Sequence, residues 1–474
     1  MQHHILCDTP DNHNNDSVMT AKTLNEGRKS TIITSKIGRS FILKINADPV
    51  RLNREVLIKN KTFVYFFNSL LLGSALYTAY LLIVTKTKEQ SSLFFGGTGS
   101  TDTFMDFFNV LKYISTRDPY HYTELYGLGE KAYPPLAYLI LYPFSKLFDY
   151  IHNPPFTAKA TQFGIMSIVV FLGIALLVQF YILYDNKTGA SHIKLLSALA
   201  LLCSGVYLFT LERANLILWA APMLALFLFW YKSENAAKRE IAYIALACAT
   251  GLKVYPVIFG VLLLKEKKWF ASIRTMIYGA AAFFLPFLFF RGGFSNFSQL
   301  LLNAEANSLQ YQFTSPVYRF GFLAYYLTAN TEASDYQFYM TLGNVFLALA
   351  IVFVLGYKSH WKAAALLTCA LIAVPTNSAY YCGIYLFAPV ILFLNEEKHN
   401  IFDWVYVFLF FVILNPFQYV TDTGIPLRGI YANNALLMMS ILLLAEAVFR
   451  TVSAVISYYR KKAHPKEVPI GTIN

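Results

Sequence analysis

The interval that decides how this chain is read begins Gly96-Gly97-Thr98-Gly99-Ser100-Thr101-Asp102-Thr103-Phe104-Met105-Asp106-Phe107-Phe108-Asn109 and ends Glu130-Lys131-Ala132-Tyr133-Pro134-Pro135-Leu136. It is the longest polar interval between two apolar blocks. Most of the remaining chain is apolar, in blocks on the scale of the roughly 20 residues that a helix needs to cross a bilayer. A pair of aspartates, a histidine, and a lysine ahead of paired prolines fall inside it. A protein embedded in lipid that works on water-borne groups needs such a place.

Composition agrees with that contrast. Of 474 residues, 56% are hydrophobic and 17% aromatic, with only 14% charged and a mean hydropathy of +0.45. Soluble domains carry roughly 25% charge, so the chain reads as an all-α, polytopic integral membrane protein. The net charge of +12 sits mainly in the N-terminal tail, the short loops and the C-terminal tail. That is the positive-inside pattern, which makes anionic membrane lipid the partner and excludes nucleic acid. Four of the five cysteines lie in apolar blocks and Cys7 in the tail, which gives neither a disulfide framework nor metal-ligand spacing.

Outward from the polar interval, residues 1–61 form a basic tail expected in the cytoplasm. It is disordered to about Thr34, with a surface helix over 38–60. A first span over about 62–85 delivers the chain to the outer face, and 86–132 make the first outer loop. Within that loop Asp102 to Tyr113 reads as an amphipathic interfacial helix, with Phe104, Phe107, Phe108 and Leu111 on its apolar face. Further blocks run to about 457, giving 11–13 spans over 62–457, and 458–474 is a basic tail. If every block crosses, the basic loops do not all fall on one side. Either 133–149 turns back, or 240–264 is two half-helices broken at Lys253-Val254-Tyr255-Pro256, where proline removes a backbone donor. In lipid such a break survives only where protein or a wet cavity surrounds it.

Asp102 and Asp106 are four apart and share a face on a helix. One can take a proton from an acceptor hydroxyl while the other holds a sugar or tunes its neighbour. Helix capping explains Asp102 equally well. Lys131 suits a phosphate at the membrane surface, or snorkels there as an ordinary interfacial lysine. Glu212 and Arg213, with Asn215, mark a site at the mouth of the bundle or form a loop ion pair. Lys253 sits inside apolar sequence, where a charge is expensive. It needs a phosphate or a structural carboxylate. Arg319, Asn377, Tyr380 and Tyr381 fall in outer turns on the same side, and His121 is the only histidine of the large loop. No metal cluster stands out.

Together these pieces resemble the polyprenyl-phosphate-sugar-dependent glycosyltransferases of the GT-C fold, in particular glycosyltransferase family 87. The resemblance runs from about 60 to 435. It rests on Asp102 to Asn109 followed by Asp118-Pro119-Tyr120, on Tyr133-Pro134-Pro135-Leu136, on Glu212-Arg213-Ala214-Asn215, and on Ala249 to Pro256 with a basic loop after it. It implies an inverting transfer of a hexose, mannose above others, from a polyprenyl-phosphate donor to a glycan or glycolipid acceptor on the outer face. Asp102 would be the catalytic base, matched by counting back from Asp118-Pro119-Tyr120, and Asp106 its helper. Lys253, Lys131, Arg213 and Arg319 would bind the donor phosphate. Glu212, Asn215, Tyr133, His121, Asn377, Tyr380 and Tyr381 would line the substrate site. No cofactor is expected, with a divalent cation left open. Some members carry a histidine in a late outer turn, where this chain reads Thr376-Asn377-Ser378-Ala379-Tyr380-Tyr381.

The physics points the same way. No stretch reads as a cytosolic nucleotide-binding domain, so a membrane-borne donor is favoured over a soluble nucleotide sugar. The expected location is a bacterial plasma membrane with the site facing out. An O-antigen polymerase or ligase, and a lipid-sugar flippase or transporter, are the competing readings. The second would be supported by inverted repeats, and none is visible.

Overall fold

The structure, a computed structural model, describes residues 58–85, 103–125, 127–310, 333–373, 380–418 and 427–463. The expected surface helix over 38–60 falls almost wholly outside them, as do Asp102, Arg319 and Asn377.

The described chain is helical apart from one two-stranded ladder. Helix α1 spans Asn60–Ile83 and α2 spans Met105–Ile114. Short helices α3 (Pro135–Leu141) and α4 (Pro155–Lys159) lead into α5 (Gln162–Asn186). Then follow α6 (Ser191–Leu202), α7 (Gly205–Arg213), α8 (Ile217–Trp230), α9 (Ala236–Leu252), α10 (Val261–Lys265) and α11 (Trp269–Phe284). The series closes with α12 (Asn296–Gln310), α13 (Ala333–Phe353), α14 (His360–Ala373), α15 (Phe387–Asn395), α16 (Asp403–Leu414) and α17 (Leu427–Ala463). Strands β1 (Ile58–Lys59) and β2 (Lys398–His399) pair antiparallel, so the entry to α1 is tied to the loop before α16. Phe63 locks that joint, stacking on Trp404 at 4.3 Å.

Among the described residues, four helices are long and apolar enough to cross a membrane: Asn60–Ile83, Gln162–Asn186, Trp269–Phe289 and Leu427–Tyr459. The bent pair α6–α7 makes a fifth if it is one span. At about 1.5 Å per residue, the 25 residues of α5 exceed the roughly 30 Å hydrocarbon core. Six shorter apolar helices accompany these, and the expected 11–13 spans is approached only if they cross as well. Between α6 and α7 the axis turns by 56°. Ser204 stops one helix and starts the next, its hydroxyl accepting the N–H of Tyr207 at 3.3 Å.

Both breaks read from the sequence are present. Over 133–149 the only α-helix is α3, whose seven residues reach about 10 Å, too short to cross. α9 ends at Leu252, Lys253 is extended (φ −145°, ψ 124°), and a 3₁₀ segment runs from Tyr255 to Gly260 before α10. Gly251 lets these pieces meet. A Cβ there would lie 2.7 Å from the Leu136 side chain of α3 and 3.1 Å from the Ala282 carbonyl of α11.

Helix α2 starts at Met105 rather than Asp102. Its apolar face is present, and protein covers it. Phe107, Phe108, Leu111 and Ile114 are fully buried, and so are Met105, Val110 and Tyr113 on the other side. The helix packs on α3, α4 and α7. The reason is legible afterwards: the second face is also apolar, so burial on both sides is favourable. Asp106 and Asn109 are its only residues that keep appreciable exposure.

Candidate functional site

The turn before α2 is unusual. Phe104 holds a left-handed conformation (φ 64°, ψ 11°) and makes no side-chain cap, a true outlier for a bulky residue. Its N–H donates to the Glu212 carbonyl at 2.8 Å. The Thr103 hydroxyl donates to Glu212 Oε1 at 3.2 Å, and Lys159 donates to the Thr103 carbonyl at 2.9 Å. The strand of chain ahead of α2 is therefore stitched to the end of α7 and to α4. The capping position belongs to Phe104, so the capping explanation for Asp102 loses its position.

A second left-handed residue faces the first. α7 ends at Arg213, and Ala214 turns back (φ 50°, ψ 40°). That reversal lets two residues flanking Ala214 aim at one carboxylate. Arg213 donates to Asp106 Oδ1 at 2.5 Å, and Asn215 donates to Asp106 Oδ2 at 2.7 Å. The Asn215 carbonyl oxygen in turn accepts the N–H of Ile217 at 3.0 Å, so its amide orientation is fixed by starting α8. Asn215 is buried, while the Asp106 and Arg213 side chains keep 16% and 23% of their exposure. Strained backbone of this kind persists where surrounding contacts over-determine it, and it concentrates at functional sites.

Tyr133 closes another side. Its hydroxyl lies beside Asn215. Burial pushes the phenol far up, the Asp106 and Glu130 charges add to this, and Asn215 and Arg213 oppose it. Lys253 lies over the Tyr133 ring, Nζ 4.2 Å from the centroid. The sequence offered it a structural carboxylate, and no such ion pair is found among the described residues. Cys382 and Asp106 are the acidic groups that act on it through space. Tyr381 feels the charges of Asp106 and Arg213, and Phe209 stacks on it at 6.3 Å with an interplanar angle of 12°. Asp106, Arg213, Asn215, Tyr133, Lys253 and Tyr381 thus form one cluster, drawn from five separate stretches of chain.

The other expected residues sit elsewhere. Lys131 is fully buried, held by the Leu125 carbonyl, by the Gly127 carbonyl at 2.9 Å and over the Tyr113 ring at 4.5 Å. It ties down its own loop, and burial lowers its ammonium to about 8. His121 pairs with Asp118 at 2.8 Å on the surface. Glu212 is buried against Thr103 and Phe104. Tyr380 donates to the Ile413 carbonyl at 2.8 Å and carries Arg428 on its ring at 4.6 Å. Sequence reading passed over Thr103, Lys159, Phe209 and Cys382. Only the three-dimensional neighbourhood singles these out, since each is an ordinary residue in its own stretch. Among the described residues no three His, Cys, Asp or Glu side chains converge as a metal site requires.

The cluster combines a cation beside an aromatic ring, a carboxylate held by a guanidinium and an amide, and two tyrosines, groups that can bind an anion and accept or donate hydrogen bonds to hydroxyls. The family model of glycosyltransferase family 87 matches residues 132–378, a range that holds Tyr133, Arg213, Asn215 and Lys253. Asp106 precedes it and joins the site through its bonds to Arg213 and Asn215. No curated protein and no solved structure matches the chain. With just over half its length matched and its helices built to cross a bilayer, the chain belongs to glycosyltransferase family 87 and is a membrane glycosyltransferase.

Proposed function

We propose that this enzyme transfers a hexose, mannose in the first instance, from a polyprenyl-phosphate donor to an acceptor hydroxyl at the outer face of a bacterial plasma membrane, with inversion. The acceptor oxygen attacks the anomeric carbon, the bond from that carbon to the phosphate oxygen breaks, and polyprenyl phosphate leaves. The proton of the attacking hydroxyl goes to a carboxylate.

The observation that carries the reading is the Asp106 cluster. Asp106 has both carboxylate oxygens bonded, while Asp102 lies outside the described residues; we assign the proton-accepting role to this aspartate pair and take Asp106 as the member to test first. Each carboxylate oxygen keeps a lone pair beyond its bond to Arg213 or Asn215. It can therefore accept a further hydroxyl without losing orientation. General-base help of this kind contributes roughly 10²- to 10⁴-fold. Lys253 supplies the cation for the donor phosphate. Among the described residues no carboxylate forms an ion pair with it, and a charge in that position is costly unless a partner arrives.

The test is an assay of the purified enzyme with polyprenyl-phosphate-mannose and polyprenyl-phosphate-glucose. Release of polyprenyl phosphate together with a new glycosidic bond supports the reading. Movement of intact lipid-sugar across a vesicle membrane, with no release, would replace it by a transporter.

A further inference from the structure

Phe104 is held from both sides. Before it, the Thr103 hydroxyl donates to Glu212 Oε1 at 3.2 Å, and Lys159, the last residue of α4, donates to the Thr103 carbonyl at 2.9 Å. At Phe104 itself the N–H donates to the Glu212 carbonyl at 2.8 Å. After it, Arg213 donates to Asp106 Oδ1 at 2.5 Å. Glu212 and Arg213 are the last two residues of α7, so consecutive residues of one helix end grip the chain ahead of Phe104 and Asp106 beyond it. The Phe104 carbonyl accepts the N–H groups of Phe107 at 3.1 Å and Phe108 at 3.2 Å, which opens the hydrogen-bond ladder of α2. The left-handed backbone of Phe104 (φ 64°) therefore sets the direction in which α2 starts, and Asp106 lies in that first turn. A bulky residue abandons such a conformation unless its surroundings hold it there. The body of α2 is fixed separately, because Phe107, Phe108 and Leu111 are fully buried. Its first turn is the part that the bonds ahead of it decide.

We propose that Thr103 is a positioning residue for the transfer: its hydroxyl on Glu212 and its carbonyl on Lys159 fix the first turn of α2, and through it the angle at which the Asp106 carboxylate meets Arg213 and Asn215. The inference rests on the transfer reaction proposed above and adds what holds its carboxylate in place. The requirement is geometric. A carboxylate that keeps two partners and also receives an incoming hydroxyl tolerates little displacement, since an error of about 1 Å at a reacting group can cost roughly 10²-fold. Glu212 is buried, and a hydrogen bond to a carboxylate is among the strong ones, so the Thr103 hydroxyl is an effective tether. Valine has nearly the shape of threonine and no hydroxyl. Serine keeps the hydroxyl and loses the methyl. The two replacements separate the hydrogen bond from the packing.

The experiment uses the full chain purified in dodecyl maltoside, with polyprenyl-phosphate-mannose as donor and a total membrane-lipid extract as acceptor. It counts polyprenyl phosphate released per folded molecule. Thr103→Val should lower kcat by roughly 10- to 100-fold, the worth of a hydrogen bond to a charged group, and leave the donor KM unchanged. Thr103→Ser should restore most of kcat. Combined with Arg213→Lys, Thr103→Val should cost less than the product of the two separate losses, because both loosen the same carboxylate. A residue that only stabilises the fold would lower the unfolding midpoint and leave kcat per folded molecule unchanged, and that result overturns the inference. Losses that multiply in the double variant overturn it too. So does a loss confined to KM, which would make Thr103 a substrate contact, or a Thr103→Ser enzyme as slow as Thr103→Val. Should Thr103→Val fail to fold, Lys159→Met decides by the same split, since it removes the bond to the Thr103 carbonyl, and a normal kcat there overturns the inference. If the unaltered enzyme releases no polyprenyl phosphate, the transfer reaction falls. The link between Thr103 and Asp106 is then read from unfolding midpoints of the same single and double variants: non-additive losses keep it, and additive losses overturn it.

Discussion

Replacing Asp106 by asparagine separates its two roles. The side chain keeps its size, but one oxygen becomes an amide N–H₂ that must face either the Arg213 guanidinium, 2.5 Å from Oδ1, or the Asn215 amide, 2.7 Å from Oδ2. Both partners are donors, so one contact becomes donor against donor. The pair is neither fully buried nor exposed, at 16% and 23%. Its loss should therefore cost less than the roughly 3–5 kcal/mol of a buried pair and more than the roughly 0–1 kcal/mol of a surface one. About 1–3 kcal/mol is expected, the cost of leaving a donor without its acceptor. A loss of that size leaves a folded, extractable protein with a lower unfolding midpoint. Activity should fall much further, by roughly 10²- to 10⁴-fold, in a release assay for polyprenyl phosphate. Arg213→Lys is the control, retaining the charge and losing the fixed fork of the guanidinium. It should lose less activity than Asp106→Asn. An Asp106→Asn enzyme that turns over at the normal rate would refute the assignment. If Asp102→Asn proves the more damaging of the two, the proton acceptor is Asp102 and Asp106 only orients.

Lys253→Met should raise the donor KM while leaving expression unchanged, and an unaltered donor KM would return Lys253 to a packing role over Tyr133. Ala214→Gly should be neutral or stabilising in thermal unfolding, because glycine adopts φ near 50° without strain. Ala214→Val should destabilise and inactivate together, since a β-branched residue strongly disfavours that conformation. Burial lowers both Lys131 and Lys187 to about 8. Between about 8 and 10.5 the unfolded chain binds the extra proton, so their contribution to stability rises with pH across that window. The rise should shrink in Lys187→Met, as read from unfolding midpoints. Cysteine in place of the exposed His121 should react with an impermeant thiol reagent on intact cells, and labelling only after permeabilisation would invert the topology.

The sequence by itself determined the class of protein. Long uncharged blocks admit no water-soluble fold, and a bilayer requires each backbone group in them to be satisfied within its own segment, which means helices. It also marked the two places where a continuous span was in doubt, 133–149 and the proline-bearing stretch at Pro256, without deciding between them; the structure shows a break at both. Lys253 stood out because a charge among apolar residues needs a reason. The tertiary structure decided which of these residues meet. Asp106 and Arg213 are 107 positions apart, and their contact depends on Phe104 and Ala214 both turning through left-handed conformations, to which neither residue type inclines. It also decided what α2 faces: pattern alone cannot tell an apolar stripe covered by lipid from one covered by protein. Lys131 and His121 were also candidates in one dimension. The fold gives Lys131 to the carbonyls of its own loop and leaves His121 at the surface, because partners there are set by which loop folds over which, and local sequence does not encode that.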